Sequence, residues 1–140
     1  MNQFDHDKLD VYHLAIDFYA TANQIIDGLP KGRSKLADQL GRAALSISAN
    51  IAEGAGEFSG DAKANFYRIA SRSATECAAI LDACRRVGIA DERMTAEGRA
   101  MLLRIVSMLI KLCKRHHTQP PAGPRAGTGT GTGTGTEAAS

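Results

Sequence analysis

The sequence predicts an all-α protein: an antiparallel up-down four-helix bundle over residues 1–117, followed by a disordered Pro/Gly-Thr-rich tail at 118–140. Three observations lead there. Apolar residues recur at helical spacing in four segments of about 20 residues each. No segment alternates apolar and polar residues as a half-buried strand would. The segments are joined by short stretches carrying Gly, Pro, Asp and Ser, and short connections make consecutive helices antiparallel neighbours.

The first helix is expected from Asp5 to Ile26. Leu9, Tyr12, Ile16, Tyr19 and Ile26, with Val11, Ala15, Phe18, Ala22 and Ile25 alongside, give it a broad apolar face. Gly28-Leu-Pro30 stops it, since Pro cannot continue the hydrogen-bond ladder. Helix two is expected from Ser34, its N-cap, to Glu53, with Gly54-Ala-Gly56 ending it. Ser59 or Asp61 caps helix three, whose apolar face is Phe66, Ile69, Ala70, Ser73, Cys77, Ile80, Leu81, Cys84 and Val87. Gly88 closes that helix. Thr95 caps helix four, with Met101, Leu102, Ile105, Met108, Leu109 and Leu112 on its inner side.

A chain of 140 residues is one domain by default. From Thr118 onward it contains no Leu, Ile, Val, Met, Phe or Tyr. Nothing there can be buried to offset chain entropy. Residues Gly127 to Thr136 are five Gly-Thr repeats, which read as flexible linker. The odd set Cys77, Cys84 and Cys113 has no C-x-x-C spacing and points to a reducing compartment. With an acidic start and no long apolar run, the expected location is cytoplasmic and no membrane partner is expected.

Helix two carries the most informative stretch, Arg42 to Gly54. At about 100° per residue, Leu36, Leu40, Ala43, Ala44, Ile47 and Ile51 share one arc, and Gln39, Arg42, Ser46, Asn50 and Glu53 the adjoining one. Short hydrogen-bonding groups suit helix contact better than solvent. An antiparallel hairpin turning near residues 57 to 59 brings Arg42 level with Glu76 and Ser46 level with Ser73. The expectation is an interhelical polar layer of Arg42, Ser46, Asn50, Glu53, Ser73 and Glu76, with an Arg42–Glu76 pair across it. Such a layer sets register and partner choice more than it adds stability.

The string Leu36, Gln39, Leu40, Arg42, Ala43, Ser46, Ile47, Asn50, Ile51, Ala52, Glu53 and Gly54 resembles the signature of the bacterial four-helix bundle proteins related to the 23S rRNA intervening sequence protein. Leu9-Asp-Val-Tyr12 with Ala15, and Phe66, Ala70, Ser73 and Glu76, fit the same pattern, so the resemblance spans about residues 7 to 115. Ser48 stands where that family often has Pro, and Arg72 where it often has Gly; both are expected outside the apolar arc. The resemblance implies a left-handed bundle that assembles into a ring, commonly a homopentamer, without enzymatic activity. It is also similar, distantly, to the accessory protein of diversity-generating retroelements, which implies RNA, DNA or a reverse transcriptase as partner.

The residues themselves weigh against an enzyme. There is no phosphate-binding loop, no dinucleotide fingerprint and no nucleophile elbow. No Glu-x-x-His motif faces inward as a di-iron bundle requires. Adjacent His116 and His117 point about 100° apart on a helix and make a poor ligand pair, so they read as a solvated basic helix end. No catalytic residue, cofactor, metal or small-molecule substrate is expected.

Net charge is only +2. Its distribution is uneven: Asp5, Asp7, Asp10, Asp17 and Asp27 meet Lys8 alone early in the chain, and residues 99–115 are basic with no acid. Complementary charge between neighbouring helices or subunits is the first reading. The second is a phosphate-directed nucleic-acid surface at Arg104, Lys111, Lys114 and Arg115, supplemented by Arg33, Lys35, Arg42, Arg68, Arg72, Arg85 and Arg86. The favoured function is a non-enzymatic assembly module, a closed homo-oligomer. Leu45 opposite the helix-two core arc and the small residues Gly41, Ala43, Ala44, Ser46, Ala49, Ala52, Ser71, Ala74, Ala78 and Ala79 support it. The alternative is a nucleic-acid-binding accessory protein.

Overall fold

The structure is a computed structural model that describes residues 2–117, with His117 by its backbone only. The tail expected at 118–140 lies outside the described residues. Four helices form: α1 (Asp10–Asp27), α2 (Ser34–Gly56), α3 (Gly60–Arg86) and α4 (Glu92–His117), preceded by a 3-10 turn at Asp5–Lys8. Contacts run α1 to α2, α2 to α3, α3 to α4 and α4 back to α1, with no diagonal pair among the described residues. That is the up-down bundle the sequence predicts.

Helix ends differ from expectation where side chains compete for backbone groups. The first helix does not run from Asp5, because the Asp7 carboxylate accepts from the Phe4 amide at 2.9 Å and holds a separate 3-10 turn. Leu9 is extended (φ −99°, ψ 120°) and α1 starts after it. Arg33, not Ser34, is the α2 N-cap, with no side-chain cap bond. Ser59 caps α3, its hydroxyl accepting from the Ala62 amide at 3.1 Å. α4 begins at Glu92 because the Asp91 carboxylate accepts from the Met94 amide at 2.8 Å. Thr95 is instead a buried first-turn residue whose hydroxyl donates to the Glu92 carbonyl at 3.0 Å.

The core is Val11, Ala15, Phe18, Ala22 and Ile25 of α1, Leu40, Ala44, Ile47 and Ile51 of α2, Tyr67, Ala70, Cys77 and Leu81 of α3, and Leu102, Ile105 and Leu109 of α4. Two stripes compete on α1, and the Val11–Phe18–Ile25 stripe faces inward. Ile16 is 40 % exposed, and Tyr12, Tyr19 and Ile26 pack at its edge. On α3, Tyr67 takes the place expected of Phe66 and Ile69, which are half-buried, and Val87 is exposed. Ser48 is buried despite its expected outer position; its hydroxyl donates to the Leu45 carbonyl at 3.1 Å, so burial leaves it satisfied. Cys77 and Cys84 are buried, free thiols.

Candidate functional site

The α2–α3 seam holds a small polar network. Ser46 Oγ and Ser73 Oγ lie 2.8 Å apart, bridging the two helices. Asn50 Nδ2 donates to Ser46 Oγ at 3.0 Å and to the Ser46 carbonyl at 2.9 Å. All three side chains are half-buried. Arg42 and Glu76 stay exposed and form no ion pair with each other among the described residues. The expected pair fails because holding two long exposed side chains together costs about what the screened attraction returns. Glu53 is exposed as well, and borders a surface depression with Phe4, Asp5 and Glu57 instead of joining the layer.

The exposed residues Arg104, Lys111 and Arg115 lie on one flank of α4, as does Met101. Met101 faces α1, since its sulfur accepts from the Thr21 hydroxyl at 3.7 Å. Lys111 and Arg115 line the α1–α4 groove with Lys8 and Asp10. The acidic start of α1 and the basic end of α4 therefore meet within one molecule. Lys114 is exposed on the outer side of α4.

A second cluster forms where the 3-10 turn, the α2–α3 turn and the end of α4 converge. α2 continues through Gly54, which is buried because a β-carbon there would sit 2.7 Å from Tyr67 Cε1. Gly60 serves similarly: a β-carbon on it would meet the His116 carbonyl at 2.7 Å, so only glycine lets α4 end against the start of α3. Lys63 Nζ reaches back to donate to the Ala55 carbonyl at 2.8 Å and the Gly54 carbonyl at 3.4 Å, satisfying the end of α2. Tyr67 is 2 % exposed, and its ring centre is 6.0 Å from that of His116.

His116 is thus half-buried, in contrast to the solvated helix end expected of it. Burial lowers its pKa, and the positive charges of Lys63 and Arg115 lower it further. Burial raises the Tyr67 pKa, Cys113 adds to the rise and Arg115 opposes it. Sequence reasoning passed over Tyr67 and Lys63. The signal for Tyr67 was its place between Ala64, Ala70 and Ala74 on the α3 apolar arc. Lys63 carried none, because its role depends on a backbone that folds back to it.

Two apolar strips remain on the surface. On α3–α4, Leu103 (62 % exposed) and Ile110 (47 %) stand either side of Val106 at helical spacing. Leu103 and Val106 border a groove floored by Ala74, Ala78 and Leu102. On α1–α2, Ile16 and Leu45 (50 % exposed) flank the seam. Their side is fixed by Gly41, where an added β-carbon would lie 3.6 Å from Ile26 Cδ1. Given the order of helix contacts, these seams are on opposite sides of the bundle. Among the described residues no group of three or more His, Cys, Asp or Glu side chains is placed to hold a metal ion. No described helix is long and apolar enough to cross a membrane.

Fold and surface together define a helical-bundle protein whose distinctive features are seams and one charged end. Residues 7–111 match the 23S rRNA-intervening sequence protein family, and the chain belongs to that family. Its fold is similar to a crystal structure of a protein with unknown function from the S23 ribosomal protein family of Bacteroides thetaiotaomicron VPI-5482. The two share 22 % sequence identity with a TM-score of 0.69, over 74 % of this chain and 98 % of that one. No curated protein matches the chain.

Proposed function

We propose that this protein is a non-enzymatic assembly module that closes into a cyclic homo-oligomer. The observation that carries the reading is the pair of apolar strips on opposite sides of one bundle. A contact between unlike faces is head-to-tail, and such a contact either closes into a ring or grows into a filament. Leu103, Val106 and Ile110 of one subunit dock against Ile16 and Leu45 of the next. Small residues there, Gly41, Ala49 and Ala52 on one face and Ala74 and Ala78 on the other, allow close backbone approach. Five subunits is the ring size the family resemblance implies. Sedimentation at micromolar concentration tests the reading: a single species near five times 14.8 kDa is expected, and a 14.8 kDa monomer overturns it.

A second reading is a nucleic-acid-binding accessory role, with RNA, DNA or a reverse transcriptase as partner. Lys8, Lys63, Lys111 and Arg115 gathered at one end of the bundle favour it, as does a family described by a ribosomal RNA insertion. Binding of this kind is phosphate-directed and weakens steeply with salt. A mobility shift at low salt that disappears on neutralising Lys111, Lys114 and Arg115 supports it. Absence of binding at low salt removes it.

A further inference from the structure

We propose that the charged end of the bundle is a binding site for a phosphoryl oxyanion, seated against the Tyr67 hydroxyl between the α2–α3 turn and the last turn of α4. This goes beyond the assembly reading and does not depend on it.

Tyr67 supplies the first observation. Its side chain is buried, yet its hydroxyl makes no hydrogen bond among the described residues, and the residue borders the depression at this end. Buried hydroxyls nearly always have partners, so an unpartnered one marks a place where an acceptor belongs. The second observation is the set of donors around it. Lys8, Lys63, Arg115 and His116 border the same depression, one from the 3-10 turn, one from α3 and two from α4. These groups feel one another, since Lys63 and Arg115 both act on the His116 imidazole.

Asp5 and Glu57 also border the depression, so three fixed cations face two carboxylates. The small positive excess favours a compact ligand with many acceptor atoms over a diffuse one. A phosphoryl group offers three or four oxygens to a guanidinium fork, ammonium groups and a phenol, where a carboxylate offers two. The third observation is continuity. The depression and the α1–α4 groove share Lys8, Leu9, Leu112 and Arg115, and the groove adds the Lys111 ammonium and the Asp10 carboxylate. A phosphoryl group at Tyr67 thus has room to be free or to belong to a chain that continues along α1 and α4.

Bound oxyanion stabilises the imidazolium, so it raises the pKa of His116, which burial, Lys63 and Arg115 otherwise hold down. The test follows the His116 ring by NMR titration in sodium phosphate and in sodium chloride of equal ionic strength. A parallel arm uses a short single-stranded oligonucleotide without terminal phosphate. Wild type is compared with Tyr67→Phe, which keeps the ring, and with Arg115→Gln. Expected is a saturable, phosphate-specific rise in the His116 pKa, with affinity reduced about tenfold in either variant. A response to phosphate assigns the site to the free group, and a Tyr67-dependent response to the oligonucleotide alone assigns it to a polynucleotide backbone. No response to either probe beyond chloride, or equal responses in wild type and both variants, overturns the proposal.

Discussion

Gly54 of α2 and the Tyr67 ring of α3 approach so closely that a β-carbon at residue 54 would lie 2.7 Å from Tyr67 Cε1. The contact explains why α2 runs on to Gly56 when Gly54 looks like a stop. It also seats the Tyr67 ring at the end where α4 closes the bundle.

Gly54→Ala should therefore destabilise the protein. Overpacking a filled site costs about 1–3 kcal/mol, and the better helix propensity of Ala returns up to ~1 kcal/mol. Urea unfolding should show a net loss of about 1–2 kcal/mol with unchanged slope. Gly56→Ala, where no atom lies within 4 Å of the added carbon, should show no such loss.

The Ser46–Ser73–Asn50 network makes a different prediction. Ser46→Ala leaves the Ser73 hydroxyl without its partner and Asn50 with only the Ser46 carbonyl, and should cost about 1 kcal/mol. Ser46→Ala with Ser73→Ala should cost less than the sum of the singles, because the two are coupled. Arg42→Ala and Glu76→Ala should each stay within about 0.5 kcal/mol of wild type, as exposed and unpaired substitutions do. Chemical denaturation of the five variants separates these outcomes.

Cys77 gives the pH dependence. Burial, aided by the neighbouring Glu76, pushes its thiol from 9.0 up to about 12. A group held protonated by folding contributes stability that is fully present below its unfolded pKa and lost as pH rises through its folded pKa. Stability should accordingly fall between pH 9 and about 12, by at most about 1.4 kcal/mol per unit for this thiol. Cys77→Ala should flatten that slope while costing some packing. At pH 8, an alkylating reagent should modify Cys77 only after unfolding.

Tyr67→Phe, measured without phosphate, should not lower stability, because it removes a buried hydroxyl that has no hydrogen-bond partner among the described residues. Thermal unfolding in a chloride buffer checks this. A fall of several degrees would mean that the hydroxyl is already satisfied in the free protein.

Much of the fold was legible because helical periodicity and breaker residues agree. Leu40, Ala44, Ile47 and Ile51 sit on one arc in the sequence and on one buried face in the structure. α1 was harder, since Leu9, Tyr12, Ile16 and Tyr19 form as good a stripe as Val11, Phe18 and Ile25. Only packing against α2 and α4 chooses between them. The α4 strip of Leu103, Val106 and Ile110 was present at helical spacing but lay beside a stronger inner stripe. Hairpin register brings Ser46 opposite Ser73. It overreached for Arg42 and Glu76, because level alone does not bring exposed side chains together. The Lys63, Tyr67 and His116 cluster joins residues from α3 and α4 through glycine contacts at Gly54 and Gly60, and no local pattern announces that.

The central claim is head-to-tail assembly through two unlike faces, and mixing two blocked variants tests it most directly. Leu45→Glu disables the α1–α2 face and Leu103→Glu the α3–α4 face, both at exposed positions where the bundle itself should be unaffected. Light scattering should report a monomer of 14.8 kDa for each variant alone. Their equimolar mixture should give a dimer, because each supplies the face the other lacks. Association of either variant by itself to the wild-type size, or a mixture that stays monomeric, would contradict the account.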